Sequence, residues 1–156
     1  MDFKTLANQY RNELLDNVLP FWLEHSQDLE FGGYFTCLDR EGKVFDTDKF
    51  IWLQGREVWM FSMLYNKVEK RQEWLDCAVQ GGEFLKKYGH DGNYNWYFSL
   101  DRSGRPLVEP YNIFSYTFAT MAFGQLSLAT GNQEYADIAK KTFKIILSKV
   151  DNPKGK

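Results

Sequence analysis

The chain has 156 residues, a length that fits a single domain of ordinary size. Hydrophobic residues make up 44% and charged residues 26%, a composition typical of soluble globular proteins. A net charge of -2 excludes a basic nucleic-acid surface, and no apolar run approaches the ~20 residues that span a bilayer. The N-terminus lacks a signal-peptide pattern, and Cys37 and Cys77 fit no metal spacing. We therefore expect a cytoplasmic protein with free thiols, no bound metal, and neither nucleic acid nor a membrane as partner.

Five helical segments follow from the periodicity of the apolar residues, and they are of two kinds. Residues 3–25, 72–88 and 133–149 each have one apolar and one charged face, which predicts helices on an outer surface. Residues 51–68 and 112–130 are apolar nearly all round, which predicts buried inner helices. The apolar stripe of the first segment is formed by Phe3, Leu6, Tyr10, Leu14, Val18 and Trp22. Pro20 is expected to kink or shorten that helix.

A six-residue segment recurs 62 residues downstream of itself: residues 38–43 (LDREGK) return as residues 100–105 (LDRSGR). Each copy places a glycine turn after an aromatic-rich run, which predicts a β-hairpin between an outer and an inner helix. A repeated unit of outer helix, hairpin and inner helix, arranged around a ring, gives an α/α barrel. We predict an all-α fold of about five helices, alternating outer and inner, with short β-hairpins at one end.

The hairpins of such a barrel gather where the inner helices begin, and helix N-termini attract anions. Arg56 lies in the first turns of the inner segment 51–68, among tryptophan and methionine residues. One interpretation is a structural ion pair with Glu57 or Asp48, because a buried charge is costly unless it is paired. The other is an electrostatic clamp on an oxyanion that develops during a reaction.

Aromatic and polar side chains near the same helix starts are candidates for ligand binding. Trp52 and Tyr111 could form a floor on which a sugar stacks, although in so aromatic a chain core packing is the commoner role for any single aromatic residue. Asn112 and Ser115 could donate hydrogen bonds at the rim of the pocket, although Asn112 could instead cap its helix.

Other ionisable residues have less specific explanations. Glu109 and Asp48 precede the inner segments, where a carboxylate pair would suit glycoside hydrolysis, but helix capping explains them equally well. His25 ends the first outer segment and His90 lies in a turn, so neither is predicted to be a catalytic base.

Several motifs of the chain resemble the N-acylglucosamine 2-epimerase family, whose animal members are also known as renin-binding protein. The motifs are residues 21–26 (FWLEHS), 32–40 (GGYFTCLDR), 52–56 (WLQGR), 106–108 (PLV), 110–115 (PYNIFS) and 151–156 (DNPKGK). The likeness covers essentially the whole chain, and it looks closest to cyanobacterial members.

The resemblance implies an (α/α)6 barrel of twelve helices, of which residues 1–156 would form the N-terminal part. It also implies the interconversion of N-acetylglucosamine and N-acetylmannosamine. After ring opening, a base removes the proton on C2, an enediolate forms, and a proton returns on the opposite face. Two histidines on inner helices act as acid and base, and neither His25 nor His90 matches them. The arginine that stabilises the enediolate corresponds to Arg56.

The resemblance further implies an amino-sugar substrate, a homodimer for the full-length family member, and ATP or another nucleotide as an allosteric activator, with no cofactor required for the chemistry. A Gly-Lys-rich segment associated with nucleotide binding would begin at Gly155 and Lys156. Family chains are more than twice this length, so we expect the isolated chain to be inactive and to expose apolar faces of its inner helices. The alternatives are a related sugar isomerase, a cellobiose 2-epimerase, or a non-catalytic remnant that binds a sugar or a protein.

Overall fold

A computed structural model describes residues 2–110 and 112–152. Helices dominate the fold: α1 (Phe3–Glu13), α2 (Leu19–His25), α3 (Ile51–Lys67), α4 (Gln72–Tyr88), α5 (Ile113–Thr130) and α6 (Gln133–Ser148). A π-helical turn, Leu14–Val18, joins α1 to α2 and makes one N-terminal rod. The five predicted helical segments are confirmed, with ends that differ by one residue or less from the predicted ones. None of the described helices is both long enough and apolar enough to cross a bilayer.

The N-terminal rod departs from the predicted pattern. Pro20 lies at the start of α2, directly after the π-helical turn. A proline has no N–H to donate and its ring clashes with the carbonyl four residues earlier, so the regular helix is interrupted there. The extra residue in the π turn rotates the side chains that follow it about the helix axis. The buried side chains of the rod are Leu15 and Leu19.

The predicted stripe of the rod is therefore not its buried face. Phe3 is 92% exposed and Tyr10 70% exposed, and Leu14 and Val18 are also exposed. The prediction that this stripe is the buried face is wrong for the described residues. The helix α1 buries none of its side chains, which leaves Phe3 and Tyr10 exposed, and the π turn breaks the regular 3.6-residue period at Leu14 and Val18.

Short strands form the two predicted hairpins. β1 (Cys37–Leu38) pairs antiparallel with β2 (Val44–Asp46) in one sheet. β3 (Lys49–Phe50), β4 (Ser99–Leu100) and β5 (Pro106–Val108) form a second antiparallel sheet, in which β4 is central. The strand β3 leads directly into α3. Its pairing with β4 therefore ties the second hairpin to the start of the inner helix.

The sequence repeat corresponds to two equivalent turns. Asp39 accepts hydrogen bonds from the N–H groups of Glu41 and Lys43 in the first turn, and Asp101 accepts one from Arg105 in the second. Gly42 has φ +83° and Gly104 has φ +94°, a left-handed conformation that glycine adopts without strain.

Each turn glycine also lies against the last residue of an outer helix. A Cβ on Gly42 would lie within 2.5 Å of ring atoms of His25, and one on Gly104 within 2.7 Å of ring atoms of Tyr88. In both copies of the repeat, the hairpin turn therefore lies at the C-terminal end of the outer helix.

The two inner helices run side by side. Gly55 of α3 faces the backbone of Phe118 on α5, where an added Cβ would lie 3.0 Å from the carbonyl group. Further along, Asn66 Nδ2 donates to the backbone oxygen of Gln125 at 3.0 Å. Because both contacts advance along the two helices in the same direction, α3 and α5 are parallel. The outer helices α4 and α6 pack on α3 and α5, respectively, so the predicted alternation is confirmed.

The all-round apolar pattern of the inner helices predicts burial on every side. The structure differs at α5, which has exposed apolar side chains. On α5, Phe114 is 61% exposed and Leu128 70% exposed, and Met121 is also exposed. The expectation that this chain exposes apolar faces of its inner helices is confirmed for α5 by the exposed fractions of these side chains. Aggregation or oligomerisation through those faces stays a prediction.

Candidate active site

Two clefts meet at Arg56. The first, with a volume of about 360 Å³, is lined by Trp52, Arg56, Phe98, Asn112, Phe114 and Phe118. The second, of about 300 Å³, is lined by Val18, Trp22, Thr36, Leu53, Arg56, Glu57 and Met60. Arg56 belongs to both, because it lies in the second turn of α3 between the face that meets α5 and the face that meets the N-terminal rod. Mostly apolar walls with a few polar groups are typical of small-molecule sites.

The guanidinium of Arg56 lies near aromatic rings rather than near carboxylates. Its Cζ is 5.9 Å from the centre of the Trp52 ring and 5.6 Å from that of Phe118. The side chain is exposed, and it makes no ion pair within residues 2–110 and 112–152. The interpretation of Arg56 as a structural partner of Glu57 or Asp48 is therefore wrong for the part of the chain described. Its charge remains available to an anionic ligand.

The predicted binding residues are partly brought together. Trp52 is half-buried, and its ring centre is 5.9 Å from that of Phe118. Asn112 lines the first cleft and also caps α5, since its Oδ1 accepts the backbone N–H of Phe114 at 2.8 Å. Ser115 is buried on α5 and lines neither cleft. The assignment of Trp52, Asn112 and Ser115 as sugar-binding residues stays a prediction.

Three predicted residues lie outside the described residues: Tyr111 of the proposed sugar-stacking floor, and Gly155 and Lys156 of the proposed nucleotide segment. His25 ends α2, as expected, and His90 lies in the segment after α4, where it forms an isolated β-bridge with Trp96. His25 packs on Phe21, with ring centres 4.9 Å apart, and His90 stacks on Tyr94 at 4.7 Å. Neither lies on an inner helix.

A buried carboxyl group stands beside Arg56 in the second cleft. Glu57 is only 7% exposed, and its Oε1 lies 2.5 Å from the hydroxyl oxygen of Ser26 at the end of α2. Burial raises the pKa of Glu57 to about 8, against the lowering effect of the contact with Ser26. The sequence indicates Glu57 only as a possible partner of Arg56. An acidic residue in a helix that is apolar all round was the signal for a separate role.

An ionic cluster fixes the strand that precedes this site: Lys49 and Asp28 are fully buried, and Arg102 is partly exposed. Lys49 of β3 donates to Asp28 Oδ2 at 2.9 Å and to the backbone oxygens of Gly32 and Arg102 at 2.5 and 2.9 Å. Arg102, from the second repeat turn, also donates to both oxygens of Asp28. Burial raises the pKa of Asp28, but the hydrogen bonds from Arg102 and Lys49 outweigh it and lower the pKa to about 2. The cluster joins the first loop, the second hairpin and the start of α3.

Comparison with known proteins assigns the chain to a family. A family model described as N-acylglucosamine 2-epimerase (GlcNAc 2-epimerase) matches residues 33–156. The chain belongs to the N-acylglucosamine 2-epimerase family.

The relatives that match this chain fall into two groups, N-acylglucosamine 2-epimerases and cellobiose 2-epimerases. The N-acylglucosamine 2-epimerase of Mus musculus is 49% identical over 125 residues, which cover 78% of this chain and 30% of that protein. The cellobiose 2-epimerase of Dictyoglomus turgidum is 29% identical over 157 residues, covering 99% of this chain and 40% of that protein. The chain thus spans well under half the length of either relative. The predicted proximity of this epimerase-family chain to cyanobacterial members stays a prediction.

Solved epimerase structures have the same fold. The cellobiose 2-epimerase of Bacillus thermoamylovorans superimposes with a TM-score of 0.83 at 32% identity, covering 92% of this chain and 37% of that one. The enzyme of Spirochaeta thermophila gives a TM-score of 0.84 at 23% identity and supports the fold alone. The predicted fold class, a segment of an (α/α)6 barrel, is confirmed.

Proposed function

We propose that this chain is part of an epimerase that inverts C2 of N-acylglucosamine and N-acylmannosamine. A base removes the C2 proton of the open-chain aldehyde, negative charge passes to the C1 oxygen in an enediolate-type intermediate, and a proton returns on the opposite face. Two histidines outside this segment serve as acid and base. The proposal extends to a cytoplasmic homodimer that needs no cofactor for the chemistry and is activated by ATP or another nucleotide.

The observation that supports this proposal best is the unpaired Arg56 between two clefts at the start of an inner helix. A guanidinium without a carboxylate partner keeps its full charge for an oxyanion, and a preorganised donor of this kind typically contributes ~10²–10³ in rate. Trp52 and Phe118 supply ring faces against which the carbon chain of a sugar can pack. Asn112 adds a polar group to the lining of the first cleft.

A second candidate is the epimerisation of a 2-hydroxy sugar, such as the reducing-end glucose of a cellobiose-like disaccharide. The likeness to solved cellobiose 2-epimerases favours it. The greater identity to the mammalian N-acylglucosamine 2-epimerases favours the 2-acylamino substrate. The clefts of this segment serve the same oxyanion chemistry in both cases.

The experiment is a chimera in which this chain replaces the matching N-terminal part of the mouse relative. The chimera should convert N-acetylmannosamine to N-acetylglucosamine and take up one deuterium at C2 when the reaction runs in D₂O. The unmodified 156-residue chain serves as the inactive comparison. Conversion of cellobiose but not of N-acetylmannosamine would favour the second candidate, and a folded chimera that converts neither sugar would contradict both.

A further inference from the structure

The hydroxyl group of Ser26 makes two short contacts but has only one hydrogen. Its Oγ lies 2.6 Å from the backbone oxygen of Trp22 and 2.5 Å from Glu57 Oε1. The carbonyl oxygen of Trp22 can only accept, and two oxygens at such a separation repel when no hydrogen lies between them. Ser26 therefore donates to Trp22. The hydrogen between Ser26 and Glu57 must then belong to the carboxyl group.

The surroundings of Glu57 agree with a neutral carboxylic acid. The groups that face it are Ser26 at the end of α2, the Tyr34 hydroxyl in the following loop and the Cys77 thiol on α4. Burial raises the pKa of both Tyr34 and Cys77, so neither is charged near neutral pH. Arg56, on the same helix, is exposed and forms no ion pair with Glu57 among the described contacts. A buried carboxylate without a cation is strongly disfavoured.

The charge state of Glu57 matters because the second cleft borders both Glu57 and Arg56. An ionised Glu57 would place a negative charge in the cleft where Arg56 offers its positive one. In the poorly solvated cleft, such a charge would reduce the attraction of Arg56 for any anion. A neutral Glu57 leaves that attraction intact while its buried hydrogen bond ties α3 to the N-terminal rod.

We propose that Ser26 holds Glu57 as a neutral carboxylic acid, and that Glu57 is a positioning residue whose lack of charge keeps Arg56 free for an anionic group. The part that concerns Arg56 rests on the function proposed above. The part that concerns the proton on Glu57 does not.

The first test follows the carboxyl carbons by NMR in the 156-residue chain labelled with ¹³C-glutamate, between pH 4 and 9.5. The Glu57 signal is assigned by its loss in Glu57→Gln. We expect it to titrate with a midpoint near 8, and a midpoint below 5 would overturn the proposal.

Ser26→Ala decides which group donates the hydrogen. If Glu57 donates to Ser26, loss of the acceptor destabilises the neutral acid and the midpoint shifts down. If Ser26 donates to a carboxylate, the same substitution shifts the midpoint up, which would contradict the assignment.

The second test measures the binding of 2-acetamido-2-deoxygluconate by calorimetry, because its carboxylate places a negative charge at C1. We expect the affinity of the chain to fall at least threefold between pH 6.5 and pH 9, and the fall to disappear in Glu57→Gln. Glu41→Gln, at an exposed turn position, is the matched control and should retain it.

The outcomes separate the two proposals. An equal fall in Glu57→Gln would overturn the positioning role while leaving the function of Arg56 intact. Absence of binding at every pH would contradict the proposed role of Arg56, and the NMR midpoint would still decide the state of Glu57.

Discussion

Lys49 and Arg56 are two cationic side chains seven residues apart, and the fold treats them in opposite ways. Lys49 is fully buried, and its three hydrogen bonds go to Asp28 and to two backbone oxygens. Arg56 is exposed at the junction of two clefts, against ring faces, with no carboxylate partner in the described part of the chain. One charge is paired within the protein, and the other has no carboxylate partner among the described residues, as expected for the proposed role of Arg56.

The contrast separates charges that hold a site together from charges that act in it. The cluster of Lys49, Asp28 and Arg102 links segments that are 21 and 74 residues apart in sequence, and it fixes the strand that begins α3. Arg56 depends on that helix for its position but contributes little to holding it. Substitutions at the two positions should therefore affect different properties.

The largest expected effect on stability is at Lys49. Lys49→Met leaves Asp28 buried with one cation fewer and leaves the oxygen of Gly32 without its donor, so we expect a loss of ~3–5 kcal/mol in the free energy of unfolding. Urea unfolding followed by circular dichroism measures it. The matched control is Arg56→Met, which should change the same quantity by no more than ~0.5 kcal/mol because the side chain is exposed. Equal losses in the two variants would contradict the view that Lys49 stabilises the fold and Arg56 does not.

The next effect depends on pH and concerns Glu57. A carboxyl group whose pKa is about 8 in the folded state keeps its proton, while the unfolded chain loses it near the ordinary value of about 4.5. The folded state binds more protons across this window, so stability falls as pH rises from about 4.5 to about 8. Glu57→Gln should remove this fall and gain ~4 kcal/mol at pH 7.5, at about 1.4 kcal/mol for each pH unit above 4.5, with little change at pH 4.

Denaturant unfolding at both pH values measures the difference, and Glu41→Gln at an exposed position is the control. A variant that is less stable than the parent at pH 7.5 would show that Glu57 is ionised and favourably bound.

A smaller effect is expected at Gly55, which precedes Arg56. A methyl group there would lie 3.0 Å from the backbone carbon and oxygen of Phe118, so Gly55→Ala must push α3 and α5 apart by a few tenths of an ångström. The cost of overpacking is partly offset by the better helix propensity of alanine, which leaves a net loss of ~1 kcal/mol. Thermal unfolding detects the change, and an increase in melting temperature would indicate that the helices are not in contact at this point.

Local patterns were enough to predict most of the fold. The ends of α3 to α6 follow from apolar periodicity, which is encoded within a few residues. The repeated turns at Gly42 and Gly104 were visible for the same reason. The buried face of the N-terminal rod was not, because a π turn shifts the period without a sequence signal beyond Pro20.

The candidate site was only partly predictable. The position of Arg56 at the start of an inner helix followed from the sequence, as did its proximity to Trp52. Two features depend on tertiary contacts that no local pattern reveals: the absence of an ion partner for Arg56, and the contact of Glu57 with Ser26 across 31 residues. The pairing of Asp28 with Lys49 and Arg102 was missed for the same reason.

The central claim is that Arg56 stabilises negative charge on the sugar. The measurement that tests it most directly is the rate of C2 deuterium uptake into N-acetylmannosamine by the mouse chimera, with and without Arg56→Met. We expect Arg56→Met to lower this rate by ~10²–10³ while the free energy of unfolding changes by no more than ~0.5 kcal/mol. An Arg56→Met chimera that exchanges the C2 proton as fast as the parent would contradict it.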